Sequence, residues 1–284
     1  MDLEPTDTVE SYFDPLEFRY RYGAEQRHYW HRARREILLE VFRQRVPPGS
    51  RVLEVGCGCG HVAGSLARQG YRVWGADLSA HALEWAGRQG LERLVRASIL
   101  QLPFEEEFDA VCAFDVLEHI PDHRQALAGL ARAVRPGGQV LITVPAHPRL
   151  WGSWDRMQRH VRRYRDTDLT DMLREQGLEP VLVRQFFAAL YLPALASAVF
   201  DRLAGGAQRR EPPFELHHAM WDPPLVGRLA HALLALERQR IHQPTRARGT
   251  SLLAVANKPA SASVQGEPGA PSRSSASTPH RSRP

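Results

Sequence analysis

The chain of 284 residues is 43% hydrophobic and 24% charged, with a formal net charge of +5. These are ordinary globular proportions, and the length is ample for one large domain or two small ones with a real core. Three cysteines in no paired framework point to a reducing compartment, and the acidic opening MDLEPTDTVESYFD lacks the apolar stretch of a secretory signal, so a cytoplasmic site is expected. The basic balance does not mark a polyanion binder. Lys258 is the only lysine, and from Asn257 onward Lys258, Arg273, Arg281 and Arg283 outweigh Glu267 by three charges, which leaves +2 for the body.

In chain order, residues 1–50 read as a cap segment and helix. Their YRYGAEQRHYWHRARREILLEVF passes from an aromatic, basic stretch into a helical pattern that offers Tyr20, Tyr22, His28, Tyr29 and Trp30 to a cleft. From residue 51 short apolar runs alternate with helical patterns. RVLEV is a strand, GHVAGSLARQG a helix stopped by Gly70, and YRVWGAD a second strand. SAHALEWAGRQG is a helix capped by Ser79, RLVRAS and FDAVCAF are strands three and four, and DHRQALAGLARAV is a helix stopped by Pro136-Gly137-Gly138. QVLITVP is strand five; a helix near 167–177 precedes EPVLVRQF at 179–186; TSLLAVANK is the last apolar run. This alternation with short connections predicts a doubly wound, parallel, Rossmann-like sheet with helices on both faces.

The core therefore takes residues 51–186 and regains a last strand at 250–257. Residues 187–249 are aromatic and broken by prolines, too long for a plain loop, and read as a helical insertion or lid. Residues 258–284 are Ser, Pro, Ala and Gly with almost no large apolar side chains, a composition that predicts disorder.

The stretch LEVGCGCG follows the first strand directly. Glycines there permit positive φ and let a ligand reach the backbone. A dinucleotide pattern can be laid on Gly58, Gly60 and Ala63, but only three residues late, whereas Glu54 with Gly56, Gly58 and Gly60 fits an acidic strand residue followed by alternating glycines without adjustment. Cys57 and Cys59 are spaced C-x-C with no second pair, so no metal site is expected.

With Asp77 in VWGADLS, LPF at 102–104, FDAVCAFDVLEHIPD at 108–122 and RPGGQVLITVP at 135–145, the chain resembles the class I S-adenosylmethionine-dependent methyltransferases over roughly residues 30–185. The resemblance implies a seven-stranded, mostly parallel sheet with an antiparallel last strand, and S-adenosyl-L-methionine as cofactor. It implies cofactor contacts from Glu54, Gly56, Cys57, Gly58, Gly60, Asp77 and Leu78, and from Asp115, Val116 and His119 after the fourth strand. Asp77 ends the second strand where a carboxylate can accept the ribose hydroxyls. The family usually has Asp after the third strand; here Ser98 stands there, with Ile99 and Leu100, as the adenine contacts.

Acceptor contacts belong beyond the carboxyl ends of the strands. After strand five, PAHPRLWGSWDRMQRHVRRYRDTDL supplies His147, Trp151, Trp154, Arg156, Arg159 and Arg163, and the cap adds Tyr22, Tyr29 and Trp30. If WDRMQRHVRRYR is helical, Arg156, Arg159 and Arg163 share one face and His160 and Tyr164 the next. His160 is the expected general base, with His119 and Tyr164 behind it, and His147 and Asp155 as further candidates. The segment QFFAALYLPALASAVFDRLAG, at 185–205, is the most apolar, but its uncharged run, 186–200, falls short of the roughly 20 residues that span a bilayer and Pro193 interrupts it; it is read as a lid, core helix or peripheral membrane contact. The reading is methyl transfer to a small-molecule acceptor, an oxygen or nitrogen of an apolar, lipidic or aromatic compound. The rivals are a catalytically inactive cofactor-binding module and a nicotinamide-dependent oxidoreductase. A nucleic-acid acceptor is not expected, because FDVLEH stands where N/D-P-P-Y/F would.

Overall fold

The apolar runs become strands almost residue for residue in the computed structural model, which describes residues 15–204, 224–243 and 247–260. The strands are β1 (Arg51–Val55), β2 (Arg72–Asp77), β3 (Arg93–Arg96), β4 (Phe108–Phe114), β5 (Val134–Pro145), β6 (Glu179–Phe186) and β7 (Ser251–Asn257). They form one seven-stranded sheet in the order β3-β2-β1-β4-β5-β7-β6. The pairs among β1 to β5 are parallel, and β7 runs antiparallel to both β5 and β6. The expected fold class is thus observed.

The helices are α1 (Pro15–Arg27), α2 (Tyr29–Arg45), α3 (His61–Arg68), α4 (Ala80–Gly87), α5 (His123–Ala133), α6 (Ser153–Met157), α7 (Asp166–Glu175), α8 (Tyr191–Leu203) and α9 (Pro224–Ala235). On one face of the sheet Leu127 and Leu130 of α5 and Leu169 and Leu173 of α7 pack with Val111 and Ile142. On the other, Ile37, Leu38, Val41 and Phe42 of α2 pack with Leu66 of α3 and, from the insertion, Leu234. The buried positions of α2 recur at 33, 37, 38, 41 and 42, the stripe of a helix lying on a sheet.

The direction of winding reverses between β1 and β4, the place where an open α/β sheet leaves a crevice beyond the strand ends. The glycine loop after β1 and the residues after β4 therefore meet. Residues 205–223 of the insertion, and the expected disordered tail beyond Ala260, lie outside the described residues.

Lys258 closes the sheet against α5. Its ammonium donates to the Ala131 carbonyl at 3.0 Å and the Val134 carbonyl at 2.9 Å, and pairs with Glu106 at 3.0 Å. A cation there meets the negative end of α5. Lys258→Ala should cost about 1–3 kcal/mol, read as a fall in melting temperature, whereas a chain ended after Ala260 should melt as the full chain does. Equal melting of Lys258→Ala and wild type would show the contact to be idle.

Candidate active site

Local backbone chemistry shapes the glycine loop. Gly56 has φ 69°, and a Cβ on it would stand 2.5 Å from Cγ2 of Val116, so the loop and the end of β4 touch only because that atom is missing. Gly58 (φ 54°) faces open space, with Glu25 Oε1 the nearest atom at 3.9 Å. Its N–H donates to Asp77 Oδ2 at 2.9 Å, while Asp77 Oδ1 accepts from Ser79 N–H at 2.9 Å. Ser79 caps α4 through Ala82 N–H, so Asp77 is left to hold the loop.

The loop borders a cavity of about 450 Å³. Its floor is acidic, lined by Glu25, Glu54, Asp115 and Glu118, with Arg34 among them. Glu54 is 4% exposed and Glu118 fully buried; Glu54 Oε2 and both Glu118 oxygens have no hydrogen-bond partner among the described residues. Burial pushes the Glu54 carboxyl up to about 8, against the pull of Arg34, and Glu25 up to about 7. Burial, together with the Asp115 charge, also raises Glu118 well above the usual carboxylate range. Arg34 meets Asp115 Oδ2 through Nε at 2.5 Å and lies over the Trp30 and Phe114 rings at 5.5 and 5.9 Å. Asp115 itself is held at φ 55°, a strained setting that aims its carboxylate into the crevice.

A second polar group stands across the cavity. His160 Nδ1 donates to Asp155 Oδ1 at 2.9 Å, and Arg163 Nε donates to the same oxygen at 2.7 Å. Asp155 is fully buried; burial alone would raise its pKa, but His160 and Arg163 hold it below the usual value, so it is a carboxylate at neutral pH. With Nδ1 bound in this way, Nε2 of His160 is left for the cavity that the ring lines. The ring of His119 packs edge-on against it at 4.9 Å, and burial, then His160, pushes His119 down to about 4. Glu118, His119 and His160 each bring a ligand atom within 4.8 Å of one another, a grouping able to hold a cation that the sequence reading did not foresee. Leu150, Pro193, Ala194 and Ala198, beside Tyr29, Trp30 and Trp154, make part of the wall apolar, while Arg21, Arg35, His28, His31, His61 and Gln158 line other parts of it.

The structure redistributes several expected residues. Glu54, Gly56, Cys57, Gly58, Asp115 and His119 line the cavity, as do Tyr29, Trp30, Trp154, His160 and Arg163. Gly60 instead packs on α4, where a Cβ would stand 2.8 Å from Ala86. Val116 packs in the core against Gly56. Leu78, Ser98, Ile99 and Leu100 lie outside the wall: the Leu78 carbonyl accepts from Arg96, Ser98 Oγ accepts from Leu100 N–H to cap the turn Ile99–Gln101, and Ile99 is buried. Tyr22 is wedged between the His61 and Trp85 rings at 4.8 and 4.7 Å.

The expected helix over WDRMQRHVRRYR ends at Met157. Arg159 takes φ 56°, His160 N–H returns to the Asp155 carbonyl, and Tyr164 pairs with Ala146 at the end of β5. The arginines therefore share no helical face; Arg163 enters the cavity while Arg156, Arg159 and Trp151 lie outside its wall. Tyr164 is corrected from candidate base to buried strut. Its hydroxyl donates to the Leu117 carbonyl at 3.1 Å and accepts from His123 Nδ1 at 2.8 Å, and burial raises its pKa further. His147 likewise is spent on Gln185 at 2.7 Å. Missing from the sequence reading were Glu25, Arg34 and Glu118. Only Glu118 had a local signal, a carboxylate between Leu117 and His119 in the turn that follows β4.

The model of the methyltransferase domain family matches residues 25–183. The ubiquinone biosynthesis O-methyltransferase of Alkalilimnicola ehrlichii is 41% identical over 102 residues, covering 34% of this chain and 41% of that protein. The protein of the same name from Klebsiella pneumoniae is 37% identical over 111 residues, 36% of this chain and 46% of that one. The chain thus spans less than half the length of these curated relatives. Among solved structures, phosphoethanolamine N-methyltransferase 2 of Haemonchus contortus in complex with S-adenosyl-L-methionine has the same fold, with TM-score 0.60, 19% identity, and coverage of 91% of this chain and 60% of that one. A chain of the complex between the Haloferax volcanii Trm112 methyltransferase activator and a methyltransferase gives TM-score 0.57 at 21% identity, covering 88% and 97%. By its family match, its sheet order and its glycine loop with Asp77, the chain belongs to the class I S-adenosylmethionine-dependent methyltransferases.

Proposed function

We propose that the protein transfers a methyl group from S-adenosylmethionine to an oxygen or nitrogen of a small acceptor with an apolar, lipidic or aromatic body. The observation that carries this reading is one cavity with desolvated, unpartnered carboxylates at the strand ends on one side and a carboxylate-held imidazole beside an apolar wall on the other. The donor carries a sulfonium and an ammonium group, and Glu54 and Glu118 fit those cations because they have already lost their water. Arg34 fits its carboxylate. Asp77 stands behind the glycine loop, outside the cavity wall, and accepts from the backbone N–H groups of Gly58, Leu78 and Ser79, which leaves about one of its four lone-pair sites for a ribose hydroxyl. When bound, the donor supplies a methyl group activated by positively charged sulfur.

The chain's own part is to position, to exclude water and to move one proton. His160, tied through Nδ1 to Asp155, takes the acceptor's proton at Nε2. Asp155 is a positioning residue that fixes the tautomer and steadies the imidazolium once formed. Leu150, Pro193, Ala194 and Ala198 take the acceptor's apolar body, and the same α8 gives residues 185–205 a place at a lipid surface. Of the insertion 187–249, the described residues Leu190 and α8 act here as a lid. A module that only binds the donor would keep the acidic floor and make no use of the Asp155–His160 pair.

Asp77→Ala should weaken donor binding by roughly 1.5–3 kcal/mol for each charged hydrogen bond lost. Calorimetry giving equal affinity in mutant and wild type would remove Asp77 from the ribose.

Proton linkage provides a second check. Free Glu54 and Glu25, raised from the ordinary 4.5 to about 8 and about 7, hold protons at pH 7 that a bound cation expels. Donor binding should therefore be more exothermic in Tris than in phosphate, with a smaller difference in Glu54→Gln. The same two groups lower the stability of the ligand-free fold as pH rises from about 4.5 through about 8.

His160→Ala should cut turnover by about 100-fold or more with donor affinity intact. Asp155→Asn should cut it by about 10- to 100-fold and displace the acid limb of the pH–rate profile. Turnover near wild type in His160→Ala would end its role as the base.

A further inference from the structure

Two helices of the insertion between β6 and β7 are apolar on the side turned away from the core. On α8, Leu192, Val199, Phe200 and Leu203 are exposed, Leu203 at 82%. At 100° per residue these positions fall in one stripe. On α9 and the turn that prolongs it, Leu225, Leu229, Leu233 and Leu236 repeat the pattern, each 52 to 71% exposed. The opposite stripes are already in use, with Tyr191 and Ala198 of α8 and Leu234 of α9 buried. A helix apolar on both sides needs two apolar surroundings, and the core supplies only one. Single exposed leucines are ordinary on a protein surface; four large apolar side chains in one exposed stripe on each of two helices are not.

Charge decides what covers those stripes. The carboxylates on the described parts of these helices are turned inward. Asp201 accepts from Ser153 N–H at 2.6 Å, and Glu237 accepts from Phe187 and Ala188 N–H at 2.6 and 2.8 Å. What stays outside is basic: Arg202, Arg228, Arg238 and Arg240 are all exposed, Arg238 lying 4.0 Å from Glu36. Leucine stripes edged by arginines are the composition of a helix lying in the headgroup region of anionic lipid. A second copy of the same face would set arginine against arginine. At thirteen residues α8 is too short to cross a bilayer, and among the described residues no helix is long and apolar enough to do so.

We propose that α8 and α9 form a docking surface for an anionic lipid bilayer. Because Pro193, Ala194, Ser197 and Ala198 on the other side of α8 wall the cavity, docking sets that wall between the site and the lipid, and an apolar acceptor reaches His160 from the membrane. The delivery of acceptor rests on the proposed methyl transfer; the docking does not.

The full chain is sedimented with vesicles of phosphatidylcholine alone and of phosphatidylcholine mixed with phosphatidylglycerol, at low and at high salt. We expect binding to the mixed vesicles, weakened by salt as exposed charges are screened. Arg202→Gln and Arg228→Gln should each weaken it about fivefold. Leu203→Ser and Leu229→Ser should each weaken it about tenfold or more, with donor affinity by calorimetry unchanged as the check on folding. Equal binding to both vesicle types, or none to either, overturns the inference. So does a concentration-dependent dimer of the wild type that Leu203→Ser or Leu229→Ser dissociates. If the vesicles are bound and S-adenosylmethionine is not, the docking stands and the methyl-transfer reading falls.

Discussion

Glu54, Asp77 and Asp115 stand at the ends of β1, β2 and β4, three strands that lie side by side at the point where the sheet's winding reverses. Bringing carboxylates together away from water is costly, and Glu25 and Glu118 add to the crowd. The molecule tolerates this in two ways. Glu25 and Glu54 are shifted to about 7 and about 8, so that at pH 7 Glu54 is largely neutral and Glu25 about half so when the site is empty. Arg34, brought in by a helix outside the sheet, pairs with Asp115. A site arranged like this is preorganised for a cation, because the desolvation that a ligand would otherwise have to impose is built into the fold.

The polar group across the cavity rests on a different device. Asp155 is fully buried, yet it remains a carboxylate because His160 and Arg163 both donate to it and Gly152 N–H adds a third donor at 3.0 Å. One carboxylate thus orients an imidazole and anchors a guanidinium in a segment with little regular structure. The contrast with Glu118 is instructive: burial raises that carboxyl well above the usual range, whereas equal burial with His160 and Arg163 donating holds Asp155 below it.

The insertion owes its freedom to topology. β6 and β7 are antiparallel neighbours, a pairing that a tight turn suffices to connect. The chain between them is therefore not needed to make the sheet. It returns over the strand ends, gives α8 to the cavity wall, and leaves the outer stripes of α8 and α9 to be satisfied by something other than the core.

Local signals decided the sheet and the glycine loop. Period and punctuation located β1, β4 and β6 to the residue, and the spacing Glu54, Gly56, Gly58, Asp77 placed the loop, because a strand-turn-helix unit is dictated by neighbours in the chain. Where the reading failed, a distant partner had overridden a local pattern. WDRMQRHVRRYR has a helical period, yet Val161 N–H goes to the Glu118 carbonyl and Tyr164 N–H to Pro145, bonds that no helix over this stretch could make. Arg34 looked like one more arginine on a basic helix until the fold set Asp115 against it. His160 was legible as an imidazole near the cleft, but its tie to Asp155 was not. The sequence by itself determined which backbone segments form strands and where a ligand can approach the backbone, since those depend on steric and hydrogen-bonding preferences within a few residues. Only the tertiary structure decided which charges are buried, which are paired and which proton an imidazole carries, because desolvation and Coulomb energy depend on distances that the chain sets by packing its ends and its insertion onto the sheet.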